Sequence, residues 1–398
     1  MEPQTLWVIV VGYFAGIAGT FNEFFVPPIV PLFRAHFHLG AAAAGWLMSV
    51  FALTTIGAAL SGSTIIHRWG AKKVAGGGVA ASLLAVGTVQ AGYTHRLLAW
   101  VLLGRAVGGL GFGWISVAAP VLITASVPAH RHRLAMGVWS TWVPIGSVAM
   151  FVAAPRLAVR GQLAPVTLLL AAVMGMSLVL LAATPFASPA APDATGSAHR
   201  APPSLYRWTV WWIAGSFALF TVQFFGFNTW VTTFLTRHAH MTLAAAGLWA
   251  AVGGLATALF NVLGGVWLAL ALRRRILFYL APSLILGLIW LALPHLPPAA
   301  AVSAVVGVGI FAGGIPTLVF AAPGLAARQP GELAWGMAWI IVGENAGIIL
   351  GPPLFGTLWA RGGFSLAFGV LAAAAGFMAL TLSQSLRRLA ALIANEDP

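Results

Sequence analysis

His36-Phe37-His38-Leu39-Gly40-Ala41-Ala42-Ala43-Ala44-Gly45-Trp46 is answered 202 residues later by His238-Ala239-His240-Met241-Thr242-Leu243-Ala244-Ala245-Ala246-Gly247-Leu248. Lys72-Lys73 and Arg274-Arg275 keep the same offset. Arg133-Leu134-Ala135-Met136-Gly137 returns as Glu332-Leu333-Ala334-Trp335-Gly336, now 199 residues apart. The chain is therefore two related halves, and each half is a series of membrane-length apolar segments. Two similar bundles can rock about a site held between them, which is the architecture that alternating access requires.

Composition sets the class. The chain is 60% hydrophobic and 7% charged, against roughly 25% charged residues in a soluble domain. Its mean hydropathy is +0.94, and apolar runs of membrane-spanning length recur along nearly all of it. The net charge of +13 is spread over short clusters between apolar spans. A nucleic-acid binder needs a continuous basic face, so the expected partner of these clusters is the anionic headgroup of a lipid bilayer, with no nucleic acid. The absence of cysteine excludes disulfide and thiol chemistry. The N-terminus lacks a basic n-region and its apolar run exceeds that of a signal peptide, so it reads as a retained helix.

Twelve spans can be placed, at about 6–32, 42–66, 74–93, 97–125, 134–158, 164–186, 208–235, 243–271, 276–293, 299–325, 334–359 and 365–386. The predicted fold is an all-α membrane protein of two pseudo-symmetric six-helix bundles. Its expected parts are residues 1–186, a Pro-, Ala- and Ser-rich linker at 187–207, and residues 208–398. Placing both termini in the cytoplasm puts thirteen of the twenty Lys and Arg inside and six outside, with Arg105 within a span. That bias orients the chain in a plasma membrane of the bacterial inner-membrane type.

The basic turn between the second and third spans reads His67-Arg68-Trp69-Gly70-Ala71-Lys72-Lys73. With Gly104-Arg105-Ala106-Val107-Gly108-Gly109-Leu110-Gly111 in the fourth span, it resembles the major facilitator superfamily. Arg68, Gly70 and Lys72 match that family's loop pattern, while His67 stands where Asp is expected. In the fourth-span motif Gly108 stands where the family has Gln. Met136-Gly137-Val138-Trp139 and Trp142-Val143-Pro144-Ile145-Gly146 are similar to its cyanate and nitroimidazole permease-like branch. The fifth-span signature of drug antiporters is not found; a similar string, from Gly347 through Gly351-Pro352 to Phe355-Gly356, lies in the eleventh span. The resemblance implies a monomeric secondary transporter whose cytoplasmic gate is the 67–73 turn: His67, Arg68, Gly70, Lys72 and Lys73. Because those residues supply no acid, Glu332, just before the eleventh span, is the expected counter-charge across the halves, pairing with Arg68 or a neighbouring Lys; the alternative is a solvated loop acid that only caps its helix.

Among seven carboxylates only Glu23 and Glu344 fall inside spans, where an ionisable group costs about 2.5–3.5 kcal/mol unless paired or neutral. Glu23 and Arg105 each lie ~12–14 Å below the outer surface, since an α-helix rises about 1.5 Å per residue. Either they form a pair that protonation or substrate breaks, or they are a static buttress, with Gly12, Gly16 and Gly19 permitting close packing on Glu23's face. Glu344 lies near the bilayer midplane with no intramembrane base in its own half. Such a carboxyl suits proton carriage; the alternative is a neutral acid bonded to a neighbouring helix.

The amides Asn22, Gln223, Asn228 and Asn345 can bond a substrate or join helices. Trp142, mid-span beside Pro144, is the indole expected to meet a ligand, the other Trp forming an interfacial belt and packing. The repeated histidine pairs could hold a metal, though imidazoles at an interface more often sit in headgroup water, and no metal or cofactor is expected. Without a Walker-type loop or a nucleotide domain a nucleotide-driven pump is not expected. An intramembrane enzyme needs a base or paired acids at one depth, which Glu23 and Glu344, in different halves, do not provide. The function expected is secondary active transport of a small organic solute coupled to protons, with proton-coupled efflux of a drug or metabolite as the alternative and a transport-dead membrane sensor as a more remote one.

Overall fold

The computed structural model describes residues 3–128, 131–139, 141–158, 161–186, 204–267, 272–327 and 330–394. The described elements are helices. They run α1 Pro3–Phe24, α2 Val30–Phe37, α3 Ala41–Trp69, α4 Ala71–Thr94, α5 Leu98–Ser126, α6 His132–Trp139 and α7 Trp142–Leu157. There follow α8 Ala164–Ala183, α9 Ser204–His238, α10 Leu243–Trp267, α11 Leu272–Ala292, α12 Pro298–Ala326 and α13 Pro330–Ala394.

Nine helical stretches among the described residues are long and apolar enough to cross a membrane, and Trp142–Leu157 and Leu280–His295 are shorter apolar helices. The last long stretch is two spans, because α13 breaks at Gly362 and Gly363. Trp359 and Phe364 stack at 5.1 Å, and Phe355 meets Phe368 at 5.2 Å. These contacts pair residues symmetrically about the break, so the chain turns back there. Nine, two and this extra one make the twelve spans that the hydropathy predicts. Gly363 has φ +68°, a left-handed backbone that only glycine adopts freely.

The first span is kinked rather than straight. Pro27 and Pro28 lack the N–H groups that would bond the carbonyls of Glu23 and Phe24, so α1 ends at Phe24. The chain passes through a 3₁₀ turn at Pro27–Ile29 and resumes as α2.

The sequence repeat is also a repeat of backbone shape. His38 and His240, 202 residues apart, have φ of 53° and 52°. His36 Nε2 is 2.8 Å from the Tyr93 carbonyl, and His238 Nε2 is 2.8 Å from the Leu296 carbonyl. These histidines pin equivalent turns in the two halves.

Contacts divide the chain into two units. One comprises Met1–Leu39, Trp46–Ala194 and Leu243–Ala251; within it Gly247 packs on Phe151 and Pro155 of α7. The other comprises Gly40–Gly45, Thr195–Thr242 and Val252–Pro398; within it Gly45 packs on Pro352 and Pro353 of α13.

Small residues bring the helices of each unit together, as expected where lipid is no poorer a solvent than a neighbouring helix. A Cβ at Gly109 would lie 2.1 Å from the Phe51 carbonyl, so α5 can approach α3 only as glycine there. Thr54 and Thr55 of α3 then donate to the Ala106 and Gly109 carbonyls at 2.8 and 3.1 Å. The second unit repeats the device between α10 and α12, where Thr317 donates to the Asn261 carbonyl at 2.7 Å. Gly343, Gly347 and Gly351 of α13 recur every four residues along the Ala214–Gly226 stretch of α9.

Candidate functional site

The kink in the first span gathers buried polar groups: Asn22, Glu23 and Arg105. With Pro27 unable to donate, the Glu23 carbonyl needs another partner, and α5 supplies it. Arg105, fully buried, donates from Nη2 to the Glu23 carbonyl at 3.2 Å and from Nη1 to the Asn22 carbonyl. Its Nε donates to the Leu47 carbonyl of α3 at 2.8 Å, and Nη2 also reaches Met48 Sδ at 3.4 Å. A guanidinium at the carbonyl end of α1 also meets the negative end of the helix dipole. The Glu23 carboxylate, 5% exposed, adds an attractive charge interaction. The structure thus brings Glu23 and Arg105 together, with the guanidinium bonded to main-chain oxygen of α1.

The flat faces of the guanidinium lie against rings. Phe51 is 4.4 Å from it and Phe25 5.3 Å. Phe51 meets Phe112 at 5.6 Å, Phe112 stacks on Trp142 at 5.1 Å, and Trp142 stacks on Trp139 at 4.7 Å. Trp142 is 7% exposed and packs on Gly16 and Gly19, the bare face of α1. The glycines of that face hold indoles.

Asn22 lies in the space that Gly108 leaves open. A Cβ at Gly108 would sit 2.8 Å from Asn22 Nδ2, which donates to the Ser82 carbonyl of α4 at 3.4 Å. A glycine where the family pattern has Gln therefore lets a carboxamide from α1 lie across α5.

In the second unit the amides divide by use. Gln223, 2% exposed, accepts from Trp290 Nε1 at 3.0 Å and donates to the Leu219 carbonyl at 2.9 Å, so it ties α9 to α11. Asn228 and Asn345 donate back along their own helices, to the carbonyls of Phe224 at 2.8 Å and Ile341 at 3.0 Å. Glu344, beside Asn345, is partly buried and makes no hydrogen bond or ion pair among the described residues.

His67, Arg68, Gly70 and Lys73 are exposed. Gly70 has φ +82°, which explains why the turn carries glycine there. Lys72 Nζ donates to the carbonyls of Ala182 and Thr184 at 3.2 and 2.9 Å, capping the end of α8. Glu332 stands in the first turn of α13 and is 7% exposed; its carbonyl accepts from the Tyr206 hydroxyl at 2.8 Å. Sequence reading did not foresee that Trp208, Trp211, Trp335 and Trp339 converge on one another. No local signal could have shown it, because the contacts join α9 to α13.

A family model described as Major Facilitator Superfamily matches residues 12–333. Among solved structures the chain is similar to a D-xylose–proton symporter, with 16% identity and TM-score 0.74 over 94% of this chain and 97% of that one. It is similar to the nucleoside transporter NupG in a mutant form, with 12% identity and TM-score 0.76 over 96% and 99%. A bacterial homolog of the human lysosomal transporter Spinster, in an inward-facing and occupied conformation, shares 15% identity and TM-score 0.71 over 99% and 96%. No curated protein matches the sequence.

Proposed function

Since this chain belongs to the major facilitator superfamily, and is thus a multi-pass membrane transporter rather than an enzyme, we propose that it is a secondary active carrier of a small organic solute, working by alternating access coupled to protons. Both termini face the cytoplasm of a bacterial inner membrane, and the carrier works as a monomer. Glu344 is the coupling group. The observation that supports this is a contrast between the two intramembrane acids. Glu23 lies with Arg105 at a crossing dense in hydrogen bonds, which suits a fixed joint. Glu344 sits within a span with no hydrogen bond or ion pair among the described residues. An acid in that setting can take up and release a proton without dismantling helix packing, and intramembrane acids of this kind serve as proton relays.

Proteoliposomes loaded with the pH dye pyranine test it. Adding solutes from a panel of organic cations, anions, sugars and nucleosides should change the internal pH for at least one solute. Glu344→Gln should abolish that change while solute counterflow persists. An undiminished pH change in Glu344→Gln would remove the residue from coupling.

A further inference from the structure

We propose that Thr229 and Thr233 act as a spring at the outer end of α9. Their hydroxyls are held without a hydrogen bond in this conformation, and that cost is released when the end of the helix moves and water reaches them. The inference goes beyond the coupling role of Glu344, because it concerns the balance between conformations and not the proton.

Thr229 is fully buried and Thr233 is 2% exposed, and neither hydroxyl has a partner among the described residues. A helical threonine ordinarily meets this need by itself, since its hydroxyl can donate to the carbonyl four residues back. Thr20, Thr124, Thr257 and Thr357 do so at 2.7–3.2 Å. So do Thr209 and Thr221, earlier in α9 itself, at 2.8 and 2.9 Å. Thr229 and Thr233 do not. Ser82, Trp114 and Ser177, each in a different helix, also bury an unbonded polar atom; only the two threonines stand one turn apart on one helix. A buried hydroxyl left unbonded has lost its water and gained no partner. Two of them on neighbouring turns load the packing that covers them.

One side of this stretch is fixed. Trp230 Nε1 donates to the Pro352 carbonyl at 2.9 Å, and Phe234 meets Phe364 and Phe368 at 5.1 and 5.2 Å. Successive residues are about 100° apart around an α-helix, so Thr229 and Thr233 lie off that anchored side. Burial falls away toward the helix end, where Thr236 is half-buried and Arg237 exposed.

The repeat marks the same place. At the offset of 202 residues Thr229 and Thr233 answer Pro27 and Pro31. In the first half the span breaks there into α1 and α2, because proline has no N–H to bond the preceding turn. In the second half α9 runs through the corresponding turn unbroken. Each half thus weakens the outer end of its first span, one permanently through absent N–H groups and the other reversibly through unmet hydroxyls.

The lack of native cysteine makes the test direct. Thr232→Cys places a thiol at a fully buried position between the two threonines. In intact cells an impermeant maleimide should label it slowly, at a rate set by how often the end of α9 moves. Adding Thr229→Val/Thr233→Val, which keeps the shape and removes the hydroxyls, should slow labelling about tenfold or more. It should also raise the thermal unfolding temperature in detergent. Thr229→Ser/Thr233→Ser keeps the hydroxyls and should label at close to the parent rate. Unchanged or faster labelling of the valine variant overturns the proposal, as does serine labelling as slow as valine, or no labelling of the parent. A lower unfolding temperature for the valine variant overturns it too, since the hydroxyls would then be bonded. The slowing should persist with Glu344→Gln in place; if it vanishes there, the threonines belong to proton coupling and the spring falls.

Discussion

Arg105 donates to the main-chain carbonyl of Glu23 at 3.2 Å, four residues before the proline that cannot. The guanidinium stands in for the N–H missing at Pro27, and it also ties α3 to the same joint through Leu47. A residue that the sequence offers as half of an ion pair is thereby the cap of a broken helix.

Removing the cap should cost more than removing an ordinary hydrogen bond. Arg105→Gln leaves the Glu23 carboxylate and three buried carbonyls without the guanidinium, and losing one partner of a buried charge costs about 3–5 kcal/mol. Thermal unfolding in detergent should show it. Pro27→Ala restores an N–H at the right place, so Pro27→Ala/Arg105→Gln should be less damaged than the two single losses summed. Strict additivity would mean that the missing N–H and the guanidinium are unrelated.

Gly108 and Asn22 compete for one volume. Gly108→Gln should displace the Asn22 carboxamide and destabilise the protein by about 1–3 kcal/mol, the usual cost of overpacking. Asn22→Ala/Gly108→Gln should recover most of it, because the new amide can then lie where the old one did. A double variant no better than Gly108→Gln alone would show that the clash lies elsewhere.

At the close contact of α13 with α9, a Cβ on Gly347 would fall 2.5 Å from the Ala218 carbonyl. Gly347→Val should force the helices apart and lower thermal stability. Gly369→Val, where nothing lies within reach of a Cβ, should change it far less. Equal effects from the two would argue that helix propensity, rather than the α9–α13 approach, governs the loss.

Orientation is open to a clean labelling experiment because the chain has no cysteine of its own. In whole cells, Gly196→Cys should be shielded from an impermeant maleimide and Arg237→Cys should react. The reverse pattern would place both termini outside.

The spans, the repeat and the family were legible because each is written locally, in hydropathy, in an offset and in short motifs. The break in the first span was also written, as Pro27-Pro28, but its consequence was not. Carbonyl oxygens have no sequence identity, so nothing marked the Glu23 and Asn22 main chain as the ligands of Arg105. Gln223 read equally as a substrate amide or as one joining helices, because Trp290, which donates to it, lies 67 positions away. Lys72 read as part of a gate, and its caps on Ala182 and Thr184 depend on how α4 meets α8. Residue type and depth were visible; partners across helices were not.

The most direct test of proton coupling at Glu344 compares two fluxes in the same proteoliposomes, using whichever solute triggers the pyranine response. Wild type should accumulate that solute against its gradient under an imposed pH difference and also exchange it at equal pH on both sides. Glu344→Gln should lose accumulation and keep exchange. Accumulation by Glu344→Gln at the wild-type level would contradict the assignment of Glu344 as the residue that carries the proton.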